Sequence, residues 1–159
     1  MATRALNPGR FALGATAAIT TSMGLIAGLS YAANPKASII GGLLVIAVAD
    51  NVSDSFAIHV YKESEGTKGA DVLATTIGNF LVRLAVTLSF VLMVMALPGG
   101  ILIWPAAAWG LALLAIISFG ISRRKQVAPA REVAIHLVVA VGVIAASRYL
   151  GHIIAYHLG

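Results

Sequence analysis

Five apolar runs, each about as long as a membrane crossing, follow one another with only short polar breaks, at about 11–32, 37–60, 72–97, 100–121 and 132–157. An α-helix rises about 1.5 Å per residue, so about 20 apolar residues cross the roughly 30 Å hydrocarbon layer. Lipid offers the backbone no hydrogen bonds, and uninterrupted apolar runs of this length predict helices rather than barrel strands. Composition agrees, with 59% of the 159 residues hydrophobic and 11% charged. A water-soluble domain carries about 25% charged residues, so this chain could not cover a core in water. The expected fold is all-α, a polytopic membrane protein of about five transmembrane helices, with residues 1–159 forming one transmembrane domain.

The breaks are a turn at Asn34-Pro35-Lys36, a polar connection from Tyr61 to Ala70 with Gly66 and Gly69, a tight hairpin at Pro98-Gly99-Gly100, and a basic loop from Ser122 to Arg131 with Pro129. Orientation follows from their charge. One set of breaks carries Arg4, Arg10, Lys62, Lys68, Arg123, Arg124, Lys125 and Arg131, whereas the opposite set carries Lys36, with Arg148 near that end of the last helix. Positive residues stay in the cytoplasm, which predicts N-in and C-out and accounts for the net charge of +5 without nucleic acid. The location expected is a prokaryotic plasma membrane. The first apolar stretch, Phe11 to about Ala33, is too long for the core of a signal peptide and is expected to remain as a helix. With no cysteine, disulfides and thiolate metal sites are excluded.

Small residues mark helix contacts. Gly24 and Gly28 form a GxxxG pair in the first helix, and Gly14, Ala18 and Ser22 extend the spacing. Close backbone approach drives association in lipid, so this stripe predicts a packing face against another helix or another subunit. Trp104 suits an interfacial belt, and His136, His152 and His157 lie near helix ends.

The costly residues are in the second helix, where Ala49-Asp50-Asn51-Val52-Ser53-Asp54-Ser55 interrupts an apolar run. A carboxylate near the bilayer centre costs on the order of 2.5–3.5 kcal/mol, and two of them one turn apart repel when both are ionised. They must pair, protonate or bind a cation. At about 1.5 Å per residue, Asp50 and Arg83 both lie roughly 15–18 Å from the inner boundary, and Asp54 and Asn79 roughly 9–12 Å. Depth therefore predicts an Asp50–Arg83 ion pair and an Asp54–Asn79 contact, leaving Asp54 to titrate or bind an ion.

Asp54, His59, Glu63 and Glu65 descend the second helix into the following loop, and Met23 of the first helix lies at comparable depth. Carboxylate, imidazole and thioether donors together suit a divalent transition metal such as Fe²⁺ or Mn²⁺. Asp50, Asp54, Met23, His59, Glu63 and Glu65 are thus the candidate metal residues, for a transported ion rather than a permanently bound cofactor. A solvated charged loop is the alternative for Glu63 and Glu65, and packing is the alternative for Met23. No nucleotide fingerprint, nucleophile triad, HExxH or CxxC is present, and an enzyme is not expected.

Met23-Gly24-Leu25-Ile26-Ala27-Gly28-Leu29, the second helix from Gly41-Gly42-Leu43 to Ser53 with Tyr61-Lys62-Glu63-Ser64-Glu65 after it, and Tyr149-Leu150-Gly151 near the end resemble the vacuolar iron transporter family. The resemblance extends from the first helix to the fifth. It carries over Ser53, Ser64 and Glu65 by position, and Met23 more loosely. It departs where the family's first-helix Asp falls near Ala17, where a Met aligns with Asp54 and a Glu with Ile58, and where the family's long metal-binding insert is replaced by the short loop between Glu65 and Val72. The resemblance implies a homodimer with an ion path between subunits, exchanging Fe²⁺ or Mn²⁺ for protons.

The leading expectation is therefore a divalent-cation transporter using Asp54 and Asp50, with lipid, protons and a second copy as partners. A proton or sodium pathway through the same residues, and a membrane scaffold held by the Asp50–Arg83 pair, are the alternatives.

Overall fold

The computed structural model describes residues 9–126 and 128–158; Arg4, one of the orientation residues, lies outside them. The chain runs α1 (Gly9–Leu29), α2 (Pro35–Val45), a π-helical turn (Ile46–Asp50), α3 (Asn51–Ser64), α4 (Gly69–Ala96), a 3₁₀ turn (Gly99–Ile101), α5 (Ile103–Lys125) and α6 (Pro129–Leu158). The α2–π–α3 stretch is one continuous span, and five spans are long and apolar enough to cross a membrane. The protein is thus a multi-pass integral membrane protein with no strand among the described residues.

Helix ends extend past the apolar runs because hydrogen bonding, not hydropathy, ends a helix. The second span continues through Lys62 and Glu63 to Ser64, where Gly66 turns the chain at φ 68°. The basic loop contracts because α5 persists to Lys125, Gln126 adopts a left-handed conformation (φ 54°), and Pro129 opens α6. At the other end of the bundle, the Asn34 side chain caps α2 by accepting from the Ala37 amide, with Pro35 in the first turn, where its missing N–H costs nothing.

α1 is the central helix, packed against α2, α4, α5 and α6. Different small residues serve different neighbours. A Cβ on Gly24 would come within 3.0 Å of Val143 and 3.1 Å of Ser147, and one on Gly151 would run into the Gly28 carbonyl. The GxxxG pair therefore seats α6 of the same chain, running parallel to α1. Gly14 instead leaves room for Asn79 and Arg83 of α4, while Gly110 of α5 is covered by Met23.

Apolar and polar packing separate along the bundle. Ile19, Met23 and Ile26 of α1 form the core with Ile39, Leu43, Phe90 and Val94. Towards the end carrying Glu65, the contact between α3 and α4 is instead built from buried Asn51, Ser55, Thr75, Asn79 and Arg83. On the outside, Val138, Val139, Ile154 and Leu158 of α6 stay exposed, as a lipid-facing helix requires.

Candidate intramembrane polar site

Two stripes at four-residue spacing face each other. Ile39, Leu43, Ala47, Asn51 and Ser55 are the buried positions of the second span, and Thr75, Asn79, Arg83, Thr87 and Val91 are buried on α4. In an ideal α-helix each four-residue step overshoots a full turn by about 40°, so such a stripe drifts around the helix. The wider π turn at Ile46–Asp50, where the Asn51 amide bonds back to the Ile46 carbonyl, takes up that drift. It keeps Asn51 and Ser55 on α4 and puts Asp50 and Asp54 at the rim of the contact. The Asn51 side-chain amide donates to the Ala47 carbonyl at 3.0 Å, inside the distorted turn.

Arg83, near the midpoint of α4, is the hub. Its side chain is 2% exposed. Nε donates to Asn51 Oδ1 at 2.9 Å, one terminal nitrogen bonds Asp50 Oδ2, and the other lies 2.5 Å from Asp54 Oδ2. One planar fork thus serves Asn51 and two carboxylates a helical turn apart, each through a different nitrogen. The acids are far more open, with 37% of the Asp50 side chain and 46% of the Asp54 side chain exposed. Beside them Val48, Val52 and Phe56 are also exposed. Two carboxylates share one guanidinium, so with both ionised the cluster retains one negative charge.

The sequence-based pairing is corrected at one point. Asn79 does not meet Asp54: its amide donates to Ser55 Oγ at 3.2 Å, and its Oδ1, turned towards Gly14, has no hydrogen-bond partner among the described residues. Asp54 has Arg83 instead. Matching backbone depths assigned Arg83 to one acid because it ignored the reach of the side chain, which covers a full 5.4 Å pitch.

The remaining candidate residues do not join this cluster. Met23 is buried in the apolar core against α5. His59 Nδ1 lies 3.2 Å from Thr76 Oγ1, and its Nε2 lies 3.4 Å from Glu63. The Thr76 hydroxyl also lies 2.9 Å from the Val72 carbonyl. Glu65, just past α3, accepts from Lys62 and, at 2.7 Å, from the Tyr61 hydroxyl. The Lys62 hydrogen bond, and secondarily that of Tyr61, holds its carboxyl below the ordinary glutamate value. Among the described residues, no three His, Asp or Glu side chains converge as a metal-ion cage.

Sequence reading missed the part played by Ser55 and the π turn, although four-residue polar spacing was visible in Asp50/Asp54, Asn51/Ser55 and Thr75/Asn79/Arg83/Thr87. Compared with protein-family models, curated proteins and solved structures, the chain matches none.

Proposed function

We propose that this protein is a membrane cation transporter in which Asp54, with Asp50, exchanges protons for a divalent cation such as Fe²⁺ or Mn²⁺. The observation that carries the reading is the charge imbalance at Arg83: two half-open carboxylates within a membrane span share one buried guanidinium. A net charge in hydrocarbon is expensive, and either a proton or a metal ion relieves it. Competition between the two for one carboxylate couples their movements. Arg83 supplies the second requirement of a transporter, that binding be weak enough to reverse. An arriving cation takes Asp54 while Arg83 retains Asp50 and Asn51, and the guanidinium reclaims Asp54 when the ion leaves.

The choice of a transition metal rests on the resemblance to vacuolar iron transporters, with Glu63, Glu65 and His59 as the hydrated approach. The homodimer implied by that resemblance supplies what the acids lack, a cover over the exposed face of Asp50, Asp54, Val52 and Phe56. The excess of Lys and Arg at the Glu65 end supports a cytoplasmic position for that end, and the proposed location is a prokaryotic plasma membrane. A proton or sodium pathway through the same acids is the second reading, favoured because among the described residues no third His, Asp or Glu joins the two acids.

The test is flux in proteoliposomes. The unmodified protein should move Fe²⁺ or Mn²⁺ with counter-movement of protons, and Asp54→Asn should abolish metal flux with expression and oligomeric state unchanged. Proton or sodium flux without metal flux would establish the second reading. No flux of any ion would leave the Arg83 cluster as a purely structural scaffold.

A further inference from the structure

At the end of the bundle opposite Glu65, two cavities adjoin at Tyr31. The larger, about 760 Å³, is a groove between α1 and α6 from Thr21 and Gly24 past Gly28 to Ile154. Its lining is apolar except for Thr21, Tyr31 and Ser147, and no charged side chain enters it. From Thr21 to Leu29 it follows α1 for about 12 Å of helix. The smaller cavity, about 460 Å³, holds Arg148, Lys36, Asn34 and Trp104. None of the six acidic residues lines either cavity.

The two cations are in different states. Lys36 Nζ donates to the Met95 and Leu97 carbonyls at 2.8 and 3.1 Å, capping α4 and leaving one N–H. The Arg148 guanidinium lies 5.1 Å from the centre of the Tyr31 ring, and among the described residues no carboxylate pairs with it. It projects from α6 beside the end of α1. Trp104, which lines the cationic cavity, is 76% exposed, and tryptophan is the side chain enriched at membrane–water interfaces.

An apolar trough leading to an uncompensated guanidinium is complementary to an amphiphile with an anionic head. We infer that this is a binding site for one anionic phospholipid, with an acyl chain in the α1–α6 groove and the phosphate between Arg148 and Lys36. Arg148 supplies a fork suited to two phosphate oxygens, and Lys36 supplies its remaining donor. The site is independent of the cation-exchange reading, because it shares no residue with the Arg83 cluster.

The experiment uses the full chain with Trp109→Phe, leaving Trp104 as the one tryptophan, in phosphatidylcholine vesicles. Phosphatidylglycerol or phosphatidylcholine brominated on the acyl chains is added in increasing proportion, and Trp104 fluorescence is read. Brominated phosphatidylglycerol should quench at about fivefold lower mole fraction than brominated phosphatidylcholine, the scale of one basic residue at an anionic lipid surface. Arg148→Gln should bring the two lipids together, and Arg148→Lys, which keeps the charge but loses the fork, should retain only part of the preference. Equal quenching by both lipids, or a preference that survives Arg148→Gln, overturns the inference. So does full competition by millimolar inorganic phosphate, which would make the site one for free anions. An inter-chain disulfide formed by Ile154→Cys in this otherwise cysteine-free chain would put a second copy in the groove, with the same consequence.

Discussion

Replacing Arg83 with Met keeps an unbranched chain of similar bulk in the α3–α4 contact and removes only the charged fork. The variant leaves two carboxylates one turn apart, with Asn51 Oδ1 unpaired inside the contact. Removing one partner of a buried ion pair costs about 3–5 kcal/mol. Here the lower end applies, because Asp50 and Asp54 are 37% and 46% exposed and recover part of their loss through protonation or water. A loss of about 3 kcal/mol lowers Tm by about 6–12 °C for a chain of this size. Thermal unfolding in detergent at neutral pH measures it. Arg83→Met/Asp50→Asn should recover part of the loss, and adding Asp54→Asn most of it, because each step removes an unpaired charge. If Arg83→Met melts with the unmodified protein, or if the triple variant is no more stable than the single one, the shared-guanidinium account is wrong.

Other measurements address the packing, the loop and the topology. Gly151→Ala should destabilise by about 1–3 kcal/mol, since its Cβ meets the Gly28 backbone, whereas Gly41→Ala, with open space around it, should be neutral or slightly stabilising in the same melt. Glu65 should titrate below an ordinary glutamate by carboxyl-carbon NMR. Its folded value is depressed, so the interaction is present above the unfolded pKa and lost as pH falls through the folded one, and Lys62→Met should move the titration upward. For orientation, single cysteines at Thr67 and Gln126 should resist an impermeant thiol reagent added outside intact cells. Labelling of both would reverse the topology.

What the sequence determined by itself was the solvent and the number of crossings. Long apolar runs exclude a water-exposed fold whatever the details of packing, and their breaks are written in Asn, Pro and Gly. It also exposed the polar problem, since Asp50, Asp54 and Arg83 cannot lie unpaired in hydrocarbon. Tertiary structure decided which groups solve it. One-dimensional depth gives Arg83 a level but not a direction, and only the facing of α3 and α4 shows it bridging both acids while Asn79 turns to Ser55. The π turn was hidden for a related reason: helix phase depends on a distortion that periodicity read from an ideal helix assumes away. The small residues tell the same story. Gly14, Gly24 and Gly28 announced close contacts, but which helix enters each depends on how α1 is surrounded. That is why the GxxxG stripe could not be assigned to α6 of the same chain until the bundle was assembled.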